Sequence, residues 1–291
     1  MNSRLRGYAS IFAAAFFWGS SGTAAKFLFQ HDVSPMLVVQ SRVIIAAAFM
    51  VLFLFVMDRK LLSIKLADLK DFALLGVIGV AGSNYSYYMA IQVTNVGIAI
   101  LMQYTASALV AVYMLLSKQE KISRVKTLAI VLSLGGSAVM LGAFNTSMHI
   151  TAIGILLGAV SAVSFAFFNI YNKIASKQYT IWTAVTWTLI CAGGFWVVLD
   201  LLTGSGIAYV APSHLTVLIA FSFSSIIIPY YFYFTGLKHL RPSTAIIVST
   251  LEPVVAIVTS FLFLGETLSV SQMTGGFFIV FAVILLEVFR E

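Results

Sequence analysis

The sequence predicts an all-α membrane protein in which ten transmembrane helices form two inverted five-helix repeats around a central cavity. Three observations support this fold class: the composition, an internal repeat and the distribution of basic residues. Of the 291 residues, 60% are hydrophobic and only 9% are charged. Ordinary globular chains are about 45–50% apolar and about 25% charged. The chain is therefore expected to lie mostly within a lipid bilayer.

Apolar runs long enough to span a membrane follow one another along the whole chain. A helix that crosses the hydrocarbon core needs about 20 mostly apolar residues. Because the runs are continuously apolar rather than alternating, they do not fit the strands of a membrane β-barrel. The predicted spans are 8–29, 35–57, 72–92, 97–117, 127–144, 152–175, 180–201, 214–236, 242–264 and 271–289.

The second half of the sequence repeats the first at an offset of 146 residues. This offset aligns Glu120 with Glu266 and Ser123 with Ser269, and several apolar positions between them keep the same register. A repeat of about half the chain length indicates a duplicated protein. The predicted repeats are residues 1–145 and 146–291.

Lysine and arginine set the predicted orientation, because they stay on the cytoplasmic side of a membrane protein. With the N-terminus inside, 15 of the 17 basic residues are cytoplasmic, and only Lys26 and Arg42 fall on the outer side. Both termini are therefore predicted to be cytoplasmic. Each repeat has an odd number of spans, so the second repeat must be inverted relative to the first. Inverted repeats are a recurring architecture of secondary transporters, with the substrate site near the membrane midplane.

Several short motifs carry a resemblance to a known family. The first span contains Trp18-Gly19-Ser20, and the ninth contains Leu251-Glu252-Pro253-Val254, followed by Gly265-Glu266. With the ten spans and the two repeats, these motifs resemble the EamA-type transporters of the drug/metabolite transporter superfamily. The resemblance implies carriage of small organic solutes, and it is closest to the amino-acid exporter branch.

Glu252 is the acidic residue that lies well inside a predicted span. Ionisable groups in a membrane are costly and usually face a protein interior or a cavity. Glu252 is therefore predicted to line or brace the substrate path. The alternative is that it binds backbone groups freed by Pro253. Arg42, near the outer end of the second span, is expected either to extend to the headgroups or to hold a carboxylate at the outer mouth.

Aromatic and polar side chains adjoin one another near the middle of several spans. A cavity walled by them would offer flat apolar faces, cation–π contacts and amide hydrogen bonds. Such a cavity would suit a zwitterionic amino acid, an aromatic metabolite or a lipophilic cation, and ordinary helix packing is the competing interpretation. The predicted substrate-binding residues are Trp18, Asn84, Tyr85, Tyr88, Gln103, Tyr104, Phe165, Phe168, Asn169, Tyr230, Tyr231, Ser249 and Glu252.

Other chemistries find little support in the sequence. No pair of histidines has the spacing of a metal site, and no base lies within the membrane to activate a serine in Gly19-Ser20-Ser21-Gly22. A phosphate-binding loop is absent. The net charge of +7 sits in short loops rather than in a nucleic-acid-binding patch. We therefore expect a non-enzyme without metal or cofactor, whose partners are a small-molecule substrate and the lipid bilayer.

The predicted function is secondary transport by alternating access. The cargo would be small organic solutes, with amino acids, including aromatic ones, as the first choice, exported across a bacterial inner membrane. Efflux of lipophilic cations, drugs or another metabolite by the same fold is one alternative. A membrane scaffold without transport activity is the alternative from another class. The sequence leaves open whether the protein is a monomer or a homodimer.

Overall fold

The computed structural model describes residues 3–29, 35–94, 96–142, 151–203, 212–264 and 267–289. Within these ranges every regular element is helical, as predicted. The predicted repeat boundary at residues 145 and 146 and the Gly265-Glu266 pair lie outside them. The α-helices are α1 (Ser3–Phe29), α2 (Pro35–Met57), α3 (Leu69–Leu74), α4 (Ser83–Val93), α5 (Val96–Tyr104), α6 (Ala106–Leu116), α7 (Arg124–Met140), α8 (Ala152–Ala175), α9 (Ile181–Thr203), α10 (Pro212–Ser222), α11 (Ile228–His239), α12 (Pro242–Ser249), α13 (Leu251–Leu264) and α14 (Val270–Val288).

Among the described residues, seven helical stretches are long and apolar enough to cross a membrane. The chain is therefore a multi-pass membrane protein. The predicted spans 8–29, 72–92 and 127–144 also coincide with helical segments, but they are not among the seven. For these three the membrane-spanning role stays a prediction. The seven stretches are Met36–Met57, Ile98–Leu116, Ala152–Ala175, Ile181–Thr203, Leu215–His239, Pro242–Phe263 and Val270–Val288.

Hydroxyl side chains fix where several helices begin. A residue just before a helix can accept hydrogen bonds from backbone N–H groups that have no partner in the first turn. Ser123 does so for the N–H of Lys126, 3.1 Å away, at the start of α7. At the start of α14, Ser269 and Gln272 each accept from the other's backbone N–H, which completes a capping box. These two caps stand at positions that the 146-residue offset aligns.

A break separates α12 from α13, one turn before Pro253. Proline has no N–H, and its ring displaces the carbonyl group four residues earlier, which here belongs to Ser249. The Tyr104 hydroxyl donates to that carbonyl oxygen at 3.0 Å, so the freed acceptor is satisfied by another helix. The helix is therefore interrupted at Thr250, between α12 and α13. A matching break at Thr105 divides α5 from α6 without a proline.

Two π-helical segments interrupt long helices. Leu75–Gly82 joins α3 to α4, and Phe223–Ile227 joins α10 to α11. In a π-helix each hydrogen bond spans one residue more than in an α-helix, and such turns are frequent at functional sites. Pro229, just after the second segment, lacks an N–H for regular α-helical bonding. The two segments occupy similar places in the two predicted repeats.

Glycines allow two pairs of helices to come into backbone contact. A β-carbon on Gly19 of α1 would stand 2.5 Å from the carbonyl oxygen of Glu252 in α13. A β-carbon on Gly136 of α7 would stand 2.7 Å from the carbonyl oxygen of Gly275 in α14. Small residues at helix crossings permit this approach within a membrane. The pairs α1–α13 and α7–α14 are thereby held together without intervening side chains.

Tyrosine hydroxyls join the segment around α3 to α8 and the connection that follows it. Tyr179 donates to Asp68 Oδ2 at 2.5 Å, and Tyr171 donates to Asp71 Oδ1 at 2.7 Å. Burial, with the hydrogen bond to Asp68, raises the pKa of Tyr179. These bonds link the two predicted repeats at the ends of helices.

Candidate functional site

A cavity of about 100 Å³ lies between helices of both halves of the chain. Roughly 10–15 Å³ of such space holds one water molecule. The cavity therefore has room for a solute of about seven to ten non-hydrogen atoms. Its walls combine charged, amide, hydroxyl and aromatic side chains. They are formed by Trp18, Ser21, Arg42, Gly79, Ser83, Asn84, Tyr87, Tyr88, Gln103, Phe165, Phe168, Ser225, Ile226, Tyr230 and Glu252.

Arg42 brings a positive charge to this cavity from α2. Its side chain is only 6% exposed. Its Nη2 atom donates to Asn84 Oδ1 at 2.5 Å, and the guanidinium lies over the rings of Tyr88 and Phe221 at 5.3 and 5.9 Å. Nε is buried without a hydrogen-bond partner among the described residues. Of the two expectations for Arg42, extension to the headgroups is thus wrong, because the side chain turns inward.

Glu252 brings a carboxylate to the cavity from the first turn of α13. Its Oε2 atom accepts a hydrogen bond from the Tyr104 hydroxyl at 2.7 Å. The same hydroxyl is within reach of the Ser249 carbonyl described above. Tyr104 has one hydroxyl hydrogen, which is therefore shared between the acid, at the shorter distance, and the carbonyl group at the helix break. The alternative that Glu252 itself binds the freed backbone is not what the structure shows.

Neutral polar groups form another part of the wall. Gln103 Nε2 donates to the hydroxyls of Ser83 at 3.1 Å and Ser161 at 3.0 Å. The Ser161 hydroxyl in turn donates to the Ser83 carbonyl oxygen at 3.3 Å. Because both amide hydrogens are engaged, Gln103 is fixed in orientation, and its oxygen is the group that stays available as an acceptor.

Aromatic rings provide the apolar wall. Trp18 meets Tyr230 edge to face, with ring centroids 5.8 Å apart. Phe165 and Phe168 stack at 6.2 Å, and Phe168 lies 5.7 Å from Tyr230. Such contacts fix flat rings with little conformational freedom. The wall is preformed, and a β-carbon on Gly79 would press against Phe168 at 3.1 Å.

Eight of the predicted substrate-binding residues line the cavity, and five do not. Tyr104, Asn169 and Ser249 are buried directly behind the wall, where Asn169 accepts a hydrogen bond from Tyr233. Tyr85 is 39% exposed and packs on Trp196, while Tyr231 stacks on Trp182 at 4.4 Å. The eight lining residues are Trp18, Asn84, Tyr88, Gln103, Phe165, Phe168, Tyr230 and Glu252.

Two prominent lining residues, Arg42 and Tyr87, are absent from the predicted substrate-binding residues, although one expectation for Arg42 is that it holds a carboxylate at the outer mouth. Tyr87 lies three residues after Asn84 and therefore on the same helix face, a spacing that could have identified it. Tyr85 follows Asn84 directly and points about 100° away. Arg42 is a charged residue inside an apolar helix, and such a residue usually faces a cavity rather than lipid. This feature could have identified Arg42 as a lining residue.

Membrane-spanning helices around a cavity with polar and aromatic walls are the arrangement of a membrane transporter. The sequence matches the EamA-like transporter family twice, over residues 5–142 and over residues 152–288. The chain belongs to this family, and the resemblance inferred from its motifs is confirmed. A small-molecule substrate and a membrane location follow from the class.

Individual relatives agree with this class. The uncharacterized inner membrane transporter YicL of Salmonella typhimurium is 24% identical over 99% of this chain and 97% of its own length. An uncharacterized transporter of Archaeoglobus fulgidus is 27% identical over 72% of this chain and 75% of its own. The threonine/homoserine exporter RhtA of Escherichia coli is 27% identical over 67% of this chain and 64% of its own. A solved crystal structure shares the fold with a TM-score of 0.80 at 17% identity, covering 99% of this chain and 96% of the other.

Proposed function

We propose that this protein exports small amino acids across a bacterial inner membrane by alternating access. In this proposal residues 1–145 and 146–291 are inverted five-helix repeats, both termini are cytoplasmic, and the cavity between the repeats receives the substrate. The similarity to an inner membrane transporter supports the location. The similarity to a threonine/homoserine exporter supports the substrate class.

The observation that carries the proposal is the composition of the cavity wall. It combines a buried cation at Arg42, an acid at Glu252 and a fixed amide at Gln103 with aromatic rings. Polar amino acids need charged and hydrogen-bonding partners when they leave water, because unpaired charges are costly to desolvate. The volume of about 100 Å³ matches a solute of the size of threonine or homoserine.

Repetition of irregular features supports the inverted arrangement. A π-helical segment interrupts the third helical stretch and also the eighth, and a helix break interrupts the fourth and also the ninth. Such interruptions in corresponding helices are typical of transporters built from inverted repeats, whose broken helices flank the substrate. The exchange of basic residues between matching loops, with Lys238 where the first half has Gln92, favours opposite insertion of the halves.

Efflux of lipophilic cations is the second candidate, favoured by the aromatic rings and by Glu252. A cation in the cavity would also meet Arg42, and like charges repel strongly where water is scarce. We therefore rank amino acids first. Both candidates use the same cavity, so transport measurements separate them directly.

The test is solute flux in proteoliposomes. One set of proteoliposomes is loaded with radiolabelled threonine, homoserine or phenylalanine, and a parallel set is loaded with a fluorescent lipophilic cation. Both sets are compared with protein-free vesicles, with and without a proton gradient. We expect saturable amino-acid flux above the control and no cation flux. Cation flux without amino-acid flux would replace the proposal by the second candidate, and absence of both would overturn amino-acid transport.

A further inference from the structure

We propose that the cavity is a zwitterion site in which Arg42 binds the substrate carboxylate and Glu252 binds its ammonium group. This inference rests on the proposed function and assigns the two charged ends of the substrate to particular residues. It is argued from the partners that each charged side chain has, and from those that it lacks.

Arg42 has no direct ion-pair partner among the described residues, although its charge interacts at longer range with Glu252 in the same cavity. Among the described residues no carboxylate lies within ion-pair distance of its guanidinium, and the side chain is 94% shielded from solvent. Its hydrogen-bond acceptor is the neutral amide oxygen of Asn84, and Nε is buried and unpartnered. Removing an unpaired cation from water is costly. A bound carboxylate would supply a direct ion-pair partner, and it would match the planar guanidinium with two parallel hydrogen bonds.

Two aromatic rings hold the guanidinium in its orientation. Tyr88 and Phe221 both lie within 6 Å of it, at 5.3 and 5.9 Å. Cation–π contacts of this kind partly compensate a desolvated cation without satisfying its hydrogen bonds. Arg42 is therefore oriented for a ligand and still has donors to offer.

Glu252 is arranged in the complementary way. Tyr104 donates to Oε2, and no basic side chain among the described residues forms an ion pair with this carboxylate. The acid faces the same cavity as Arg42. Two opposite charges on one cavity wall that are not paired with each other match a ligand that carries both charges. Gln103 and the rings of Trp18 and Phe165 would then surround the substrate side chain.

The first experiment varies the ligand and leaves the protein unchanged. Radiolabelled threonine flux in proteoliposomes is challenged with unlabelled threonine, with threoninamide, which lacks the carboxylate, and with 3-hydroxybutanoate, which lacks the ammonium group. Loss of one hydrogen-bonded charge corresponds to about a ten- to hundredfold weaker affinity. We expect both analogues to compete at least tenfold more weakly than threonine. Equal competition by threoninamide or by 3-hydroxybutanoate would overturn the zwitterion site.

The second experiment assigns each end of the substrate to its residue. In Arg42→Gln the preference for threonine over threoninamide should disappear, while the preference over 3-hydroxybutanoate remains. In Glu252→Gln the reverse should hold, and Arg42→Lys should restore part of the first preference. Arg59→Gln, an exposed arginine, and Glu287→Gln, a partly exposed acid, are matched controls that should behave as wild type.

The outcomes separate this inference from the proposed function. If wild-type protein transports threonine but Arg42→Gln keeps the full preference for the acid over the amide, the assignment of Arg42 is wrong and amino-acid transport stands. The same logic applies to Glu252 and the ammonium group. If wild-type protein transports no amino acid, both proposals fail together. If Arg42→Gln does not fold, the competition measured on wild-type protein still decides between a zwitterion and a singly charged substrate.

Discussion

The Nζ atom of Lys126 lies 3.2 Å from Oε2 of Glu120, and the two side chains are 0% and 3% exposed. The Ser243 hydroxyl donates to the same carboxylate oxygen. Glu120 follows α6 and Ser243 opens α12, so the carboxylate joins the two halves of the chain. Under the predicted orientation this ion pair lies at the cytoplasmic end, away from the cavity.

Lys126→Met should destabilise the protein markedly. The substitution leaves Glu120 buried without a countercharge, and breaking a buried pair on one side costs about 3–5 kcal/mol. Thermal unfolding in detergent is measured by the loss of the monodisperse chromatographic peak. Its midpoint temperature should fall by several degrees. The exposed neighbour Lys121→Met is the control and should unfold as wild type. Adding Glu120→Gln to Lys126→Met should recover part of the loss, and equal midpoints for all variants would contradict the role of the pair.

Tyr104→Phe should weaken both the fold and transport. The change removes the donor that serves the Ser249 carbonyl and the Glu252 carboxylate. A buried acceptor left unsatisfied costs about 1–3 kcal/mol. We expect a lower thermal midpoint and reduced threonine flux, whereas Tyr113→Phe, at a site 44% exposed, should change neither. Wild-type stability in Tyr104→Phe would mean that the helix break needs no partner.

Trp18→Ala should reduce substrate affinity, because it removes a wall of the cavity and its edge contact with Tyr230. We expect the KM for threonine flux to rise by about tenfold, because the variant loses an aromatic contact and the apolar area that it buries. Trp18→Phe should lie between Ala and wild type. An unchanged KM would remove Trp18 from the site.

Tyr85→Phe and Tyr231→Phe test the boundary of the site. Both tyrosines were predicted to bind substrate, and both lie outside the cavity wall. Each substitution should leave threonine flux within about twofold of wild type, because it keeps the ring that packs on a tryptophan and removes a hydroxyl group outside the cavity wall. A large loss in either variant would indicate that the cavity extends to that residue in another state of the transport cycle.

Gly136→Ala should destabilise the protein while Gly135→Ala should not. The added methyl group at Gly136 would meet the Gly275 carbonyl oxygen at 2.7 Å, whereas the same group at Gly135 meets nothing within 4 Å. Alanine also favours a helix over glycine by about 1 kcal/mol. Thermal midpoints should therefore drop for Gly136→Ala and stay level or rise for Gly135→Ala. The reverse order would refute close contact between α7 and α14.

Cysteine labelling tests the inverted topology. Cys191 is the chain's single cysteine, so Cys191→Ser provides a cysteine-free background. Gln92→Cys and Lys238→Cys then place thiols at exposed, matching positions of the two halves. A membrane-impermeant maleimide added to intact cells should label Gln92→Cys, and it should label Lys238→Cys only after permeabilisation. Labelling of both from one side would show that the halves are parallel.

Local chemistry made most helix bounds predictable. The spans 35–57 and 152–175 coincide with α2 and α8, because Pro35 and Thr151 mark the starts of long apolar runs. The identity of the family was likewise readable from Trp18 and the Glu252-Pro253 pair. These features depend on neighbours along the chain, which a sequence displays directly.

The exact composition of the cavity wall could not be predicted in the same way. Whether Asn84 or Tyr85 faces the cavity depends on the phase of α4, and the π-helical segment before it changes that phase. Arg42 turns inward because Asn84, Tyr88 and Phe221 meet it there, and Phe221 comes from the other half. Such contacts are set by tertiary packing, which apolar runs and residue types do not encode locally.

The π-helical segment Leu75–Gly82 sets which side chains of α4 face the cavity, because it holds more residues per turn than an α-helix. An ordinary α-helix over the same residues would turn everything downstream in α4 by about 100°. Asn84 and Tyr87 would then face neighbouring helices, and Arg42 would lose its amide acceptor. Removing one residue from the segment would offset this rotation, because an α-helix needs one residue fewer for the same turn. A one-codon deletion at this place should therefore regularise the helix and still leave the polar wall facing the cavity.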